Sequence, residues 1–469
     1  MTTPAANEPL PDAVAFLRDA APWLLAPDLG VCIVGSQALA LACRREGLAG
    51  PQPVDLDLAW ALDHEAGAAV LQQRGVFVPT TTGNQERGTL AMKIGGRRLE
   101  VTTFRAGDAT QPMAARIAAD LSERDMTIGA LAFELATGTL HDPHHGLRDW
   151  RERRIVPVGD VAQRVREHAI RWLRYYRKAH ELGFSLERSI RSLSLDPQLL
   201  MTLPREAVAL ELRAILGKCP SPGRCLLELH EAGLLDVISP ELAQQFDGRP
   251  AGPQRWHPEV SQALHLILAL EWAVAHTQAL EDGDRLAVRI AVLCHDLGKG
   301  YTAPEELPNH RGHEHAGLPY LDQLLDRWPG LADQRTRTLA RQVCALHVQV
   351  RHFEEHRPGS LARLYDSYFR PAEYPVELFA LAVAADTGGR LGHHDTGLAT
   401  LLQVTADLNW LRETCARVDA AELRKQWPDD VDSFRAALHE ARARAIAAAD
   451  HERRRSERAI TSPADEPRS

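Results

Sequence analysis

The sequence contains no run of about 18 uninterrupted apolar residues, so it predicts no membrane-spanning helix. Residues 1–12 have no basic stretch ahead of an apolar core, which argues against a secretory signal. The seven cysteines are scattered and none forms a C-x-x-C pair, so neither a zinc ribbon nor a disulfide framework is expected. These absences predict a cytoplasmic protein with reduced thiols and no membrane partner.

The charge balance also excludes one class of protein. A net charge of −9 argues against indiscriminate nucleic-acid binding, although a local basic groove is compatible with it. The hydrophobic fraction of 45% and the charged fraction of 25% are typical of a soluble globular protein. At 469 residues the chain is long enough for about two to four units with large cores.

Strand and helix patterns alternate in the first ~115 residues, which predicts a small α/β domain there. Gly95 and Gly96 separate two strand-like segments and indicate a two-residue hairpin. After Met113 strand signals almost vanish, and apolar residues recur at helical spacing. The predicted strands are 31–34, 56–60, 89–94 and 98–104, and the predicted helices include 37–43, 164–182, 205–216 and 224–235.

The run Cys294–Gly300, C-H-D-L-G-K-G, carries the strongest chemical signal in the chain. An adjacent His295 and Asp296 can hold one or two divalent metals through an imidazole nitrogen and a carboxylate oxygen. The apolar segment 286–293 predicts a buried helix whose end presents this pair to a cleft. The alternative is a set of ordinary histidines, since the chain has 21. Metal binding is favoured by further ligand-type residues at His265, His310, His313, His347 and Asp386.

This spread of residues resembles the HD phosphohydrolase superfamily. The resemblance implies a helical domain in which His265, His295, Asp296 and Asp386 bind a first metal. It implies that His313 and His347 hold a second one. The implied metal is a divalent transition ion such as Ni²⁺ or Mn²⁺, or Mg²⁺. The implied substrates are 2′,3′-cyclic phosphates, 2′-nucleotides or phosphomonoesters.

Three carboxylates form a second candidate site near the N-terminus. Strand alternation predicts that Asp55 and Asp57 share one face of the sheet, and Glu100 on the hairpin could join them. Such a set can hold two Mg²⁺ ions, which position a triphosphate and activate a 3′-hydroxyl. Gly35 would let backbone amides approach a phosphate, and Ser36 could donate a further hydrogen bond. The alternative is a solvated strand edge.

This second pattern resembles the polymerase-β-like nucleotidyltransferase superfamily, and three further runs narrow the resemblance. They are E-R-D-M-T-I-G-A-L-A at 123–132, D-P-H-H-G-L-R-D-W at 142–150 and E-H-A-I-R-W-L-R at 167–174. Together with the HD region, they are similar to bacterial class II tRNA nucleotidyltransferases, the CCA-adding enzymes, of the kind with a fused HD domain. The runs His257–Glu259 and His310–Glu314 fit that subgroup. The resemblance covers roughly residues 30–410.

The resemblance implies an α+β protein, with a polymerase-β-like head built on a small mixed sheet followed by an all-α neck and an all-α HD domain. Its implied segments are a head at 1–150, a nucleotide- and RNA-binding neck at 151–246, an HD domain at 247–420 and a helical tail with a disordered end at 421–469. A Gly- and Pro-rich linker is expected at 247–258, and disorder from Arg453 onward. The implied partners are tRNA, CTP and ATP, with a homodimer left open.

Residue roles follow from the same resemblance. Asp55 and Asp57 would carry catalytic Mg²⁺, with Glu100 as the third acid. Arg124 and Asp125 would contact the sugar, Arg171 would help to read the base, and Arg174 would contact the triphosphate. Arg171, Arg174 and Arg177 recur every three residues, and Arg164 lies two turns before Arg171. This spacing predicts a basic helix stripe that binds phosphates, and the alternative is a solvated helix face. The stripe comprises Arg164, Arg171, Arg174 and Arg177.

Some positions depart from the family pattern. In the family run G-G-x-V-R-D the arginine and aspartate are replaced by Leu39 and Ala40. A template aspartate is replaced by His168, whose neutral ring accepts at only one nitrogen, so base choice is expected to be looser.

Three functional hypotheses follow: an active CCA-adding enzyme that is also a phosphohydrolase; a phosphohydrolase whose degenerate head is an RNA- or nucleotide-binding scaffold; or a non-catalytic RNA-binding protein. The first is preferred.

Overall fold

The computed structural model describes residues 12–53, 55–79, 88–370 and 375–461, with backbone only for 452 and 454–461. The chain divides into two compact units, 1–200 and 201–469. A mixed sheet lies in the first unit and helices make up most of the remainder, so the predicted α+β class is confirmed. No described helix combines the length and the apolarity that crossing a membrane requires.

The sheet of the first unit has seven strands in the order β3-β4-β5-β2-β1-β6-β7. All neighbours are antiparallel except β2 and β5, which run parallel. Two short strands, β8 and β9, pair separately. The strands are β1 Cys32–Val34, β2 Asp57–Trp60, β3 Phe77–Val78, β4 Thr89–Ile94, β5 Arg97–Thr103, β6 Ala132–Glu134, β7 Leu140–His141, β8 Arg154–Ile155 and β9 Ser185–Leu186.

The predicted hairpin is confirmed at Gly95 and Gly96. Both residues have positive φ, 53° and 82°, as a two-residue turn of the primed type requires. The turn sets Ile94 opposite Arg97 and thereby fixes the register of β4 against β5. Strand β5 also pairs with β2, and this separate parallel pairing places Glu100 opposite Asp57.

The first unit has eight α-helices among its described residues, and they cover the sheet and extend beyond it. A buried core of Leu17, Leu24, Ile33, Trp60 and Met92 joins α1 to the sheet. The helices are α1 Ala13–Ala20, α2 Gly35–Arg45, α3 His64–Gln73, α4 Met113–Ser122, α5 Gly146–Arg151, α6 Val161–Glu167, α7 Ile170–Leu182 and α8 Arg188–Arg191. The 3₁₀ turns are Pro22–Leu25, Pro27–Leu29 and Thr127–Gly129.

Two features of this unit differ from expectation. Strand signals almost vanish after Met113, but β6 pairs with β1 and lies next to the edge strand β7. These later strands have only two or three residues, too few for alternation to be visible in the sequence. The helix expected over 164–182 is two helices, because His168 is extended at φ −147° and ψ 94°.

The second unit is helical. A 3₁₀ turn at Pro197–Thr202 spans the division between the units, and others lie at Leu297–Tyr301, Pro304–Glu306 and Phe353–Glu355, with a π-helical turn at Tyr365–Phe369. The helices are α9 Arg205–Lys218, α10 Pro222–Glu231, α11 Leu234–Ile238, α12 Pro240–Ala243, α13 Gln262–His276, α14 Asp282–Cys294, α15 His313–Ala316, α16 Leu318–Arg327, α17 Gln334–Arg351, α18 Pro358–Leu364, α19 Val376–Gly388, α20 His394–Ala416, α21 Ala420–Arg424 and α22 Val431–Thr461.

The core of the second unit is a packed set of four helices. Helix α14 lies against α13, α17 and α19, and α19 also packs on α13 and α17. Nearly every residue of α19 is buried, which matches its continuous apolar sequence. This core brings residues that are distant in the sequence to one place.

The sequence patterns predicted helices at the positions of α9, α10 and α14, but other segments differ from expectation. The helix expected over 224–235 is interrupted before α11, where Gly233 has φ +70°. Residues 247–258 have no helix, as predicted for a linker, yet Ala251 and His257 are buried within the second unit. Helix α22 continues to Thr461, so the expectation of disorder from Arg453 was wrong to that point, and 462–469 lie outside the described residues.

Candidate active sites of the two units

The six residues predicted to bind metal in the second unit lie together. Two come from helix interiors, His265 in α13 and His347 in α17. The others are at or near helix ends, and all six side chains are buried. Two groups of three have ligand atoms within 4.8 Å of one another. These are His265, His295 and Asp386, and then Asp296, His313 and His347.

Asp296 joins these two groups through its two carboxylate oxygens. Oδ2 lies 3.1 Å from His295 Nε2 and 3.6 Å from His265 Nε2. Oδ1 lies 3.1 Å from His313 Nε2 and 3.6 Å from His347 Nε2. A single carboxylate therefore faces two pairs of imidazole rings, the position of a bridging ligand between two cations.

The ring tautomers fit this reading. The Nδ1 atoms of His295 and His313 each lie 2.7 Å from a backbone carbonyl oxygen, and that of His347 lies 3.1 Å from two. Since a carbonyl only accepts, Nδ1 is the donor and Nε2 of the neutral ring carries a lone pair.

These lone pairs meet in the middle of the cluster. His295 and His265 have Nε2 atoms 3.4 Å apart, and so do His313 and His347. The buried Asp296 Oδ1 accepts no hydrogen bond. Such mixed nitrogen and oxygen donors, aimed at each other without protons between them, suit a borderline divalent cation.

Electrostatics keeps the carboxylates ionised. Burial alone would raise the pKa of Asp296, but His295 and Lys299 hold it well below the ordinary value. Burial likewise opposes ionisation of Asp386, and Arg351 and Arg390 hold its pKa well below the usual range. The pKa of His347 lies well below its ordinary value, chiefly because burial disfavours its charged form. The charge states required of metal ligands are therefore those that Asp296, Asp386 and His347 already favour. His265 differs, because burial opposes its charged form but its contacts with Asp386 and Glu259 outweigh burial and raise its pKa.

Several residues of this site had no role assigned from the sequence. Lys299 Nζ lies 2.6 Å from Asp296 Oδ2, and Arg351 lies 2.9 Å from Asp386 Oδ2. Arg351 and Arg390 each follow a predicted ligand by four residues, a spacing that places them on the same helix side. A cavity of about 310 Å³ opens beside the cluster. Its lining includes Lys299, His313, His347, Arg351, Asp386 and Arg390.

His310 and Gly298 support the site rather than bind metal. Both ring nitrogens of His310 are used elsewhere, at 2.8 Å from Thr302 Oγ1 and 2.7 Å from the Pro250 carbonyl. A Cβ on Gly298 would lie only 2.0 Å from the His313 carbonyl oxygen. Only glycine therefore allows the backbone after Asp296 to pass this close to α15.

In the first unit, the three predicted carboxylates lie on or just before two neighbouring strands of the sheet. Asp57 begins β2 and is the register partner of Glu100 on β5. Asp55 lies two residues before Asp57, and both are exposed while Leu56 between them is buried, which is the pattern of strand alternation. The pKa of Asp57 is raised, first by desolvation and then by repulsion from Asp55, with a smaller contribution from Glu100. A cluster of oxygen donors that repel one another is a fitting site for Mg²⁺.

A small cavity of about 200 Å³ adjoins these carboxylates. Besides Asp57 and Glu100 its lining includes Arg105, Asp120 and Arg124. Arg124 pairs with Asp120 at 3.2 Å. Sequence reasoning did not identify Arg105, which lies in a loop, or Asp120, which lies on a helix, because neither belongs to a recognisable motif. The cavity thus combines acidic and basic groups.

Gly35 and Ser36 begin helix α2. Gly35 has φ +65°, a conformation that favours glycine, and the preceding Val34 provides no side-chain cap. Helix N-termini offer unpaired backbone N–H groups that bind phosphate well. The turn is therefore compatible with the predicted phosphate contact.

The predicted basic stripe is not one solvent-facing surface. Arg164 and Arg171 are buried and both pair with Glu167, at 2.7 and 2.9 Å. Arg171 also donates to the Glu123 carbonyl at 2.8 Å, and the buried Arg177 pairs with Glu181 at 2.5 Å. The burial of these three arginines disagrees with the alternative of a solvated helix face, and phosphate binding by the stripe stays a prediction.

Arg174 and His168 differ from those buried groups. The Arg174 side chain is 37% exposed and pairs with Asp125 at 2.9 Å. His168 is exposed at the break between α6 and α7. Its pKa is lowered, first by partial burial and then by Arg171, so the neutral ring is favoured at pH 7.

Comparisons with known proteins give a consistent picture. Residues 42–156 match the family model of the Poly A polymerase head domain. The chain is 34% identical to the Multifunctional CCA protein of Pasteurella multocida over 279 residues, which are 58% of this chain and 64% of the relative. It is 36% identical to that of Alkalilimnicola ehrlichii over 284 residues, 59% and 65% of the two chains. The chain thus spans just under two thirds of the length of the curated relatives it matches.

Solved structures agree on the fold. The crystal structure of the Bacillus stearothermophilus CCA-adding enzyme in complex with CTP matches with a TM-score of 0.61 and 19% identity, over 96% of this chain and 98% of that one. A CCA-adding enzyme in complex with ATP matches with a TM-score of 0.58 and 15% identity, over 92% and 90%. At these identities the likeness concerns the fold alone.

Replacing Gly298 by alanine is expected to damage the metal cluster without removing a ligand. The new Cβ would force α15 away and move His313 with it, so Mn²⁺ affinity should fall by at least ~10-fold, as for loss of ligand support. Equilibrium dialysis against Mn²⁺ measures this. The matched control is Gly283→Ala in α14, where the added Cβ has open space. Equal Mn²⁺ affinity in Gly298→Ala and wild type would contradict the close approach.

Proposed function

We propose that the chain is a member of the family of CCA-adding enzymes, a tRNA nucleotidyltransferase that adds or repairs the CCA end with CTP and ATP. We propose that its second unit is a metal-dependent phosphohydrolase. The observation that supports transfer is the pairing of Asp57 with Glu100 beside Asp55. The one that supports hydrolysis is the position of Asp296 between two histidine pairs.

In the proposed transfer reaction, Asp55, Asp57 and Glu100 bind Mg²⁺. Enzymes of this family use divalent metals, and the bound ion supplies charge neutralisation for the triphosphate. The N-terminus of α2 at Gly35 and Ser36 holds a phosphate. These carboxylates also orient the 3′-hydroxyl of the tRNA toward the α-phosphate.

The nucleotide itself is proposed to lie along the polar groups near the start of α7. Arg124 and Asp125 contact the sugar. Arg174, whose side chain is far more exposed than those of Arg164, Arg171 and Arg177, contacts the triphosphate. Arg171 reads the base, although it must exchange one of its present hydrogen bonds to do so. His168 replaces the template carboxylate and makes the choice between bases looser.

A second function is supported by one specific observation. Leu39 and Ala40, which replace the family's arginine and aspartate, are buried in the packing of α2 and bring no charge to the head. The alternative is therefore a phosphohydrolase whose head binds RNA or nucleotide without transfer. Activity measurements on the head distinguish the two.

In the proposed hydrolysis, two ligand groups hold divalent ions such as Ni²⁺, Mn²⁺ or Mg²⁺. The first comprises His265, His295, Asp296 and Asp386, and the second comprises His313 and His347 with Asp296 shared. Bound metal supplies an acidified water and a Lewis acid for a phosphate ester. Lys299, Arg351 and Arg390 line the adjacent cavity and would orient the phosphate oxygens. Small 2′,3′-cyclic phosphates, 2′-nucleotides or phosphomonoesters at damaged tRNA ends are the proposed substrates.

The remaining assignments are also proposals. They are the segments 1–150, 151–246, 247–420 and 421–469, a cytoplasmic location, and tRNA as the macromolecular partner, with a homodimer to be tested by solution mass measurement.

Replacing Asp57 by asparagine is expected to abolish nucleotide transfer. Loss of a metal-binding charge removes several kcal/mol of transition-state stabilisation, so incorporation of labelled CTP and ATP into tRNA lacking CCA should fall at least ~10³-fold. Asp28→Asn, which alters an exposed acid of the same unit, is the control. Transfer that survives in Asp57→Asn would refute the site. No transfer by wild type, with hydrolysis present, would favour the scaffold alternative.

Replacing Asp296 by asparagine is expected to abolish hydrolysis and spare transfer. The substitution removes one of the two carboxylates proposed for the first metal and the single carboxylate proposed for the second. Hydrolysis of 2′,3′-cyclic AMP in the presence of Ni²⁺, Mn²⁺ or Mg²⁺ should therefore fall at least ~10³-fold. Asp326→Asn changes an exposed carboxylate of the same unit and should have no effect. Hydrolysis that persists in Asp296→Asn, or in wild type after chelation, would contradict the assignment.

A further inference from the structure

His265 differs from the other cluster histidines in what lies at its outer nitrogen. His295, His313 and His347 have backbone carbonyl oxygens there. The Nδ1 of His265 instead lies 3.0 Å from Glu259 Oε1. One ligand of the cluster is thus supported by a carboxylate, and three are supported by neutral carbonyls.

Glu259 is held firmly in this place. Its side chain is fully buried. Oε1 accepts a hydrogen bond from His257 Nδ1 at 2.8 Å, and Oε2 accepts one from the Leu391 backbone N–H at 3.3 Å. The irregular segment before α13 positions this acid. Its ionised form is stabilised by His257, His265 and the backbone N–H of Leu391.

At 3.0 Å, Glu259 Oε1 lies within hydrogen-bonding distance of His265 Nδ1, on the side of the ring away from the cluster. A carboxylate at this place fixes the tautomer and makes the imidazole a stronger donor to metal than a carbonyl does.

We propose that Glu259 is a positioning residue that makes the two halves of the cluster unequal. It strengthens the half formed by His265, His295 and Asp386 relative to the half formed by Asp296, His313 and His347. The proposal rests on the proposed metal-dependent function of this site. It predicts that a divalent ion binds in two steps, and that Glu259 governs the tighter one.

The chain contains a matched acidic residue beside the weaker half. Glu314 Oε2 lies 3.6 Å from His313 Nδ1, beyond hydrogen-bonding distance. The His313 Nδ1 proton is already donated to the His310 carbonyl at 2.7 Å. Glu314 is therefore adjacent to a ligand histidine without supporting it, and Glu314→Gln is a control for loss of nearby negative charge.

The experiment is calorimetric titration of metal-depleted full-length protein with Mn²⁺. Wild type is expected to bind two ions with distinct affinities in the second unit, and titration of Asp57→Asn identifies any further binding step that belongs to the first unit. In Glu259→Gln the tighter affinity should fall ~10–100-fold, as for loss of a supporting carboxylate, and the weaker one should change little. Glu259→Asp, which keeps the charge on a shorter side chain, should recover part of the loss, and Glu314→Gln should resemble wild type.

The outcomes separate this inference from the proposed function. A wild type that binds no Mn²⁺ would defeat both. Two ions in wild type with both affinities unchanged in Glu259→Gln, or lowered equally, would overturn the inference alone. If circular dichroism shows that Glu259→Gln does not fold, Glu259→Asp takes its place in the titration. The inference then requires that Glu259→Asp lower the affinity of the tighter Mn²⁺ binding step more than that of the weaker step.

Discussion

The burial of the Asp296 carboxylate is the constraint on which the second unit depends. An ionised carboxylate without compensation is very costly in a protein interior. Here four imidazole Nε2 atoms and the Lys299 ammonium surround its two oxygens. Because the rings are neutral donors of lone pairs, they do not neutralise this charge by themselves. The arrangement is therefore understandable as a site for cations.

The surrounding helices satisfy this constraint from different parts of the sequence. Helix α14 ends where the pair His295–Asp296 must face inward, and α13, α17 and α19 each add one ligand from a buried face. Gly298 lets the chain turn against α15, which brings His313 to the free oxygen of Asp296. In the first unit the sheet has the corresponding effect, since the parallel pairing of β2 with β5 sets Glu100 opposite Asp57.

Sequence reasoning located both sites because their residues occur in runs with recognisable chemistry. The His-Asp pair after an apolar helix, and the acids around a Gly-Gly hairpin, are local patterns that the fold retains. Reasoning failed where long-range packing decides. Nothing local showed that Arg164 and Arg171 would be buried against Glu167, because helical spacing alone does not distinguish a solvent-facing stripe from an internal ion-pair network. Strands β6–β9 and the support of His265 by Glu259 likewise depend on partners distant in space or in an irregular segment.

The most direct measurement is anomalous diffraction from crystals of the full-length protein grown with Mn²⁺. The account predicts two anomalous peaks about 3.5–4 Å apart, as in two-metal sites, on either side of Asp296. One should contact His265, His295, Asp386 and Asp296 Oδ2, and the other Asp296 Oδ1, His313 and His347. The absence of any peak within ligand distance of Asp296, in crystals whose head site binds Mn²⁺, would contradict the account.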